Sequence, residues 1–186
     1  AGPALANDYP EVEEAVRFVP SGRTMFKNGA TRLYEDKVYF ADSNVFRVFS
    51  CRFIEGNSQT ALQEPNTVVL SESSAIKFFG NNKKYLGKTL ENVNGKVYKV
   101  TGVIKDVPKN SNFIFNVLAS RSSLPADFGN NWGSFNIFTY VLLKPQAEWT
   151  SASSREELVE KMEAKLKELP TMNYTFSQPI EFRMAE

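Results

Sequence analysis

Apolar and polar residues alternate with period two over many short stretches and take a helical period in only a few, which predicts an α+β chain of about nine strands and three or four helices. Near the start, Asp8, Pro10 and Glu11 have the spacing of a short capped helix opening near Pro10. A strand over 14–19 follows, with Val16 and Phe18 on one face. Residues 23–27 and 32–35 flank Asn28-Gly29, a pair suited to a tight hairpin turn, and KVYFA at 37–41 continues as the next strand. In ADSNVFRVF, Asp42 or Ser43 can cap a helical turn that puts Val45, Val48 and Phe49 on one face. Glu55-Gly56-Asn57 then turns the chain into a polar loop at 60–66.

The β-branched run TVVL at 67–70 does not alternate, so it reads as a buried strand. Ser71 or Ser73 caps a helix over 74–79, and Gly80 provides the left-handed exit. LGKTL at 86–90 leads to a second hairpin turn at Asn94-Gly95 and then to 97–106, whose alternation shifts phase near Gly102. A glycine at such a shift predicts a bulge or a close backbone approach. Strands over 113–119 and 134–143 are separated by the loop FGNNWG. Ser154, with Glu157 at the capping-box position, opens a helix to Leu169 whose stripe is Leu158, Met162, Leu166 and Leu169; Pro170 ends it, and 174–183 is a last strand.

Composition narrows the chemistry. The 186 residues suit one ordinary domain or two small ones, and none is histidine. Histidine-based triads, His-ligated metals and an unperturbed switch near neutral pH are thereby excluded. Cys51 stands alone, so no intramolecular disulfide forms, and in CRF it reads as a small hydrophobe. The longest uninterrupted apolar runs, VYFA and YVLL, fall far short of the ~20 residues that cross a bilayer. Net charge is +1, but residues 1–66 carry 7 basic against 9 acidic side chains, 67–125 carry 9 against 3, and 126–186 carry 6 against 9. The middle stretch is therefore basic between acidic flanks, as a solvated face or as a patch for an acidic partner.

Candidate sites are few. Glu11, Glu13 and Glu14 cluster in the manner of solvated side chains rather than a catalytic pair in contrasted environments. Lys105-Asp106 ends a strand just before Val107-Pro108 and reads either as a site or as a solvated strand end. Gly87-Lys88-Thr89 lacks the earlier glycine of a phosphate loop, since Asn82 occupies that position. Phe78, Phe79, Lys83, Lys84 and Tyr85 interleave aromatic and basic residues, yet at least one of the phenylalanines is more simply core, and no nucleic acid is expected. Trp132 is either a recognition residue or a cover over a sheet edge.

Three segments in order, NVFRVFSCRFIEGN, TVVLSESSAIKFFGNN and LGKTLENVNGKVYKVTGVIKDVP, resemble the extracytoplasmic core domain of MacB-like and FtsX-like ABC transporter permeases. Phe46, Phe49 and Gly56 match its aromatic turn and closing glycine. Val68 to Glu72, Ala75, Phe79 and Gly80 match its strand and short helix, and Gly87, Lys88, Leu90, Gly95, Tyr98, Val100, Gly102, Val103 and Asp106 match the rest. The resemblance implies a discontinuous porter-like βαβ subdomain (residues 1–41 and 126–186) and an inserted β-rich Sabre-like subdomain (42–125).

It further implies a non-catalytic module between the first two membrane helices of a permease, on the periplasmic or extracytoplasmic face of the bacterial inner membrane. Such a module transmits ATP-driven motion and docks substrate or partner proteins for export, lipoprotein extraction or regulation. A second permease copy or related permease, a cytoplasmic ATPase and a periplasmic adaptor are the implied partners. ATP belongs to a separate nucleotide-binding domain, so no catalytic, cofactor or metal residue is expected in this chain. Lys83, Lys84 and Trp132 are the candidate partner contacts. The alternative is a free-standing extracytoplasmic protein that binds peptide or glycan with Trp132 at its mouth, and a carboxylate enzyme built on Asp106 comes third.

Overall fold

The computed structural model describes residues 6–7, 10, 12–81, 84–111, 113–128, 137–144, 160 and 164. The chain divides into two compact units, Ala1–Leu142 and Leu143–Glu186, and the expected helix over 154–169 and strand over 174–183 lie outside the described residues. The described elements are β1 (Val12–Asn28), β2 (Thr31–Ala41), α1 (Val45–Val48), β3 (Phe53–Gly56), β4 (Thr67–Ser71), α2 (Glu72–Phe79), β5 (Thr89–Asn92), β6 (Val97–Ile104), β7 (Val117–Ser120) and β8 (Phe138–Leu143).

Strand pairing runs β1 to β2, β2 to β7, β7 to β4, β4 to β6, β6 to β5 and β5 back to β1, so six strands close a ring. β2–β7 and β4–β6 are parallel pairs and the other four are antiparallel. β3 adds to β6, and β8 lies beside β1. Hydrogen bonding thus crosses residue 41, because β2 pairs with β7 and β1 with β5.

Closure requires β1 to serve two sets of neighbours. It does so as one strand of 17 residues whose register with β2 shifts between Pro20 and Gly22 and again between Gly22 and Thr24. Proline without an N–H and glycine without a side chain are the residues that tolerate such a break. The separate strands expected over 14–19 and 23–27 are therefore one element. Among the described residues, Ala6 and Asn7 are helical, Pro10 lies in a turn and Val12 is already a buried strand position, so the helical residues lie before Pro10 rather than after it. β2 likewise joins 32–35 to 37–41, with Lys37 at φ 56°. That kink moves the inward phase from Leu33 and Glu35 to Val38 and Phe40. The hairpin turn falls on Gly29-Ala30, one residue later than expected, because Asn28 stays in the ladder opposite Thr31 and donates its side-chain amide to the Phe78 carbonyl at 2.7 Å.

Every ring strand sends side chains to one core, among them Phe26, Val38, Leu70, Leu90, Val100 and Val117, which therefore fills the ring. α2 adds Ala75 and Phe78, the latter edge-on to Phe26 at 5.6 Å. A second core on the opposite face gathers Val16, Phe18, Val45, Val48, Val69, Phe113 and Leu118 under α1 and the flanking loops. β4 lies between the two cores, and all five of its residues are buried, as its unbroken apolar run predicts. Full burial of each such aliphatic side chain is worth roughly 1.5–3 kcal/mol.

The helix after β4 forms as read. Ser71 is its N-cap, accepting from the Ser74 N–H at 3.2 Å, and Gly80 at φ 73° donates its N–H to Ile76 as the exit. The phase shift near Gly102 is real: β4 and β6 slip register between Val68 and Val69. A Cβ on Gly102 would lie 2.7 Å from the Phe53 ring, and one on Gly56 would meet the Thr101 carbonyl, so β3 and β6 approach through a pair of glycines. Glu55 and Gly56, expected to turn with Asn57, instead end β3 (Phe53–Gly56), paired with Val103 and Gly102 of β6. Only Val117–Ser120 of the strand expected over 113–119 is a strand; Phe113 and Phe115 instead enter the second core.

Candidate functional site

The basic middle stretch is largely committed to internal partners. Lys77 pairs with Glu35 at 3.1 Å, Lys105 with Glu72 at 2.8 Å, and Arg121 approaches Asp42 at 3.9 Å. Lys96 donates to the Ser123 carbonyl, and Lys88 lies over the rings of Phe79 and Tyr85 at 5.0 and 5.7 Å. Two of these acids, Glu35 and Asp42, come from the acidic first third, so folding cancels part of the segregation seen along the chain. Lys84 is exposed on the loop after α2; Lys83 and Trp132 lie outside the described residues. Phe78 and Tyr85 are buried inside the ring, where no base could stack on them.

Glu35 is the first cluster that periodicity did not single out. Its side chain is 5% exposed on the inward phase of β2. It accepts from Ser74 Oγ at 3.0 Å, Asn116 Nδ2 at 2.8 Å, the Asp36 N–H at 3.1 Å and Lys77 Nζ. One carboxylate thus binds β2, α2 and the approach to β7 together, with donors on both oxygens. A charged residue two positions after the inward Leu33 was the signal available in the sequence.

The second cluster lies on the other face. Arg17 of β1 holds Asp42 bidentately, Nε to Oδ2 at 2.8 Å and Nη2 to Oδ1 at 2.9 Å, and its backbone N–H donates to Oδ2 as well. This pairing explains why Asp42 does not cap α1: Asn44 is the N-cap, without a side-chain capping bond. Arg121, in the short 3-10 turn after β7, brings a second guanidinium to the same carboxylate. Burial, helped by the Arg17 charge, lowers the pKa of Arg121, and Asp42 works against that shift.

The remaining candidates have structural partners. Glu14 accepts from Asn44 Nδ2 at 2.6 Å and Arg47 Nη1 at 2.9 Å, and these bonds hold its carboxyl below the usual range against the opposing effect of burial. Glu13 is exposed, and Glu11 lies outside the described residues. Asp106 accepts the Ser73 N–H at 3.0 Å and the Ser73 hydroxyl, and so caps the first turn of α2 from the end of β6. Its partial burial would raise the pKa, but the bonds from Ser73 and Ser71 and the Lys105 charge outweigh that and lower it. Cys51 is half-buried against the second core, and burial pushes its thiol up to about 11. Among the described residues no group of His, Cys, Asp and Glu could hold a metal ion, and no helix is long and apolar enough to cross a membrane.

A family model described as the MacB-like periplasmic core domain matches residues 1–157. No curated protein matches the sequence. Solved structures share the fold, among them the following three. A domain assigned to a permease of Porphyromonas gingivalis aligns at 26% identity and TM-score 0.73, over 89% of this chain and 75% of its own. The periplasmic region of MacB from Actinobacillus actinomycetemcomitans aligns at 18% and 0.66, over 88% and 72%. The extracellular domain of the noncanonic ABC-type transporter YknZ from Gram-positive bacteria aligns at 14% and 0.62, over 89% and 81%.

Proposed function

The chain belongs to the MacB-like periplasmic core domain family, an extracytoplasmic part of ABC transporter permeases, and from that membership we propose that it is a non-catalytic module which transmits ATP-driven motion and docks partner or substrate proteins. The family match over residues 1–157 carries this reading. The tie of Glu35, Glu14 and Asp106 to structural partners supports it, because none of these acids is left free to act as a general acid or base. A second copy of the permease, a cytoplasmic ATPase and a periplasmic adaptor are its proposed partners, with ATP held by the ATPase. The division into a porter-like part, 1–41 with 126–186, and a Sabre-like part, 42–125, belongs to the same proposal. Cooperative folding of residues 42–125 expressed alone would support that division, and loss of structure would remove it.

The transport role is tested in cells that carry the full permease. Charge reversal at both Lys83 and Lys84 should lower export while the isolated domain melts as before. Transport at the parental level with both changes in place removes these lysines as contacts. Transport maintained after deletion of the whole domain would remove the transmission role.

A further inference from the structure

Arg121 is a mostly buried cation whose bonding is incomplete. Its side chain is 15% exposed, yet among the described residues it makes one side-chain hydrogen bond, from Nη2 to the Phe128 carbonyl at 2.6 Å. Its Nε is buried without a partner. Its nearest carboxylate, Asp42, stands 3.9 Å from Nη1, beyond hydrogen-bond reach, and is already held by Arg17. A guanidinium has five N–H donors in a planar fork, and withdrawing one from water without partners is costly. Arg17 and Asp42 are 14% and 19% exposed, so the cluster keeps two cations and one anion largely out of solvent.

We propose that Arg121, with Arg17 beside it, forms a binding site for one carboxylate group, carried either by a small organic acid or by an acidic side chain of a partner protein. The chemistry selects this ligand. A carboxylate is planar and presents two oxygens to the guanidinium fork. One negative charge neutralises the single excess positive charge of the cluster. A dianion such as phosphate would add a second charge close to Asp42, where like charges repel.

The probes are sodium acetate for the free acid and a short glutamate-containing peptide with blocked ends for the partner side chain. Each is titrated against the domain at fixed ionic strength, with sodium chloride and sodium phosphate as controls. The buried Nε–H of Arg121 gives an NMR signal that reports directly on its bonding. A saturable shift of that signal with acetate or peptide, absent with chloride and weaker with phosphate, is the expected result. Tighter binding of the peptide than of acetate assigns the site to a partner, and equal binding assigns it to small acids. Arg121→Gln should weaken binding at least about tenfold, as loss of a charged hydrogen bond predicts, and Arg121→Lys, which keeps the charge without the fork, should recover only part of it. Followed by the backbone amides of Arg17, Asp42 and Phe128, unchanged binding in Arg121→Gln overturns the assignment. So does a shift of the same size in chloride, or no saturable shift with either probe.

Discussion

Glu35 and Asp42 are both carboxylates drawn out of water, and the fold treats them in opposite ways. Glu35 inside the ring has three neutral donors and one lysine, which leaves no excess charge and no free oxygen. Asp42 on the outer face stands between two guanidinium groups, one bonded to it and one left with a buried unpaired donor. A closed network is what architecture needs, since every unmet bond would weaken the core. An open one lowers stability without tightening the fold, and such a feature is the more informative about binding.

The contrast can be broken first at the cores that surround each cluster. Phe18 is fully buried and stands edge-on to Tyr39, Phe49 and Tyr140 at 6.5, 5.5 and 5.5 Å. Phe18→Ala should cost about 4 kcal/mol in urea unfolding, more than Val117→Ala in the aliphatic ring core, at about 2. An equal cost would show that the aromatic face is no better packed than the ring. Glu35→Ala comes next, at about 3 kcal/mol, because Ser74 and Asn116 lose a buried acceptor. Lys77 adds little to this, being 41% exposed. Glu35→Gln, which keeps an acceptor, should cost about 1 kcal/mol.

Arg121→Gln sharpens the comparison from the other side. Without an added carboxylate its stability should lie within about 0.5 kcal/mol of the parent or above it, since an under-bonded buried cation is removed. A loss as large as that of Glu35→Ala would make the two clusters alike. A small effect is also expected at Asp106. Its folded pKa is depressed, so the stability it contributes is present above the unfolded value near 3.9 and is lost as pH falls through the lower folded value. Asp106→Asn should cost about 0.5–1 kcal/mol at neutral pH and show a shallower acid decline in melting temperature.

Much of this fold is legible in local pattern. The β-branched run at 67–70, the serine cap with its glycine exit and the phase break near Gly102 each act over a few residues, and each appears where expected. The extent of β1 was not legible. Whether Pro20-Ser21-Gly22 ends a strand or bends one depends on β2, β5 and β8, and no local propensity contains those neighbours. The α1 cap differs for a related reason: Asp42 is a good local cap, but a bidentate arginine 25 residues away is a stronger partner. Glu35 and Arg121 acquire meaning only when strands distant in sequence meet. The family resemblance, by contrast, rests on residues that mark turns and close approaches, such as Gly56, Gly80 and Gly102, which are readable one at a time.

Ring closure also sets how the chain reaches its native state. The Lys27–Glu91 bridge joins β1 to β5 across 64 residues, and the Glu35–Asn116 bond links β2 to the approach to β7 across 81. Neither contact is rewarded until a long loop has been closed, so folding should be slow, in the millisecond-to-second range of topologies dominated by distant pairings. Until the ring closes, two of its strands present unpaired edges, and such edges are what exposes a chain to self-association.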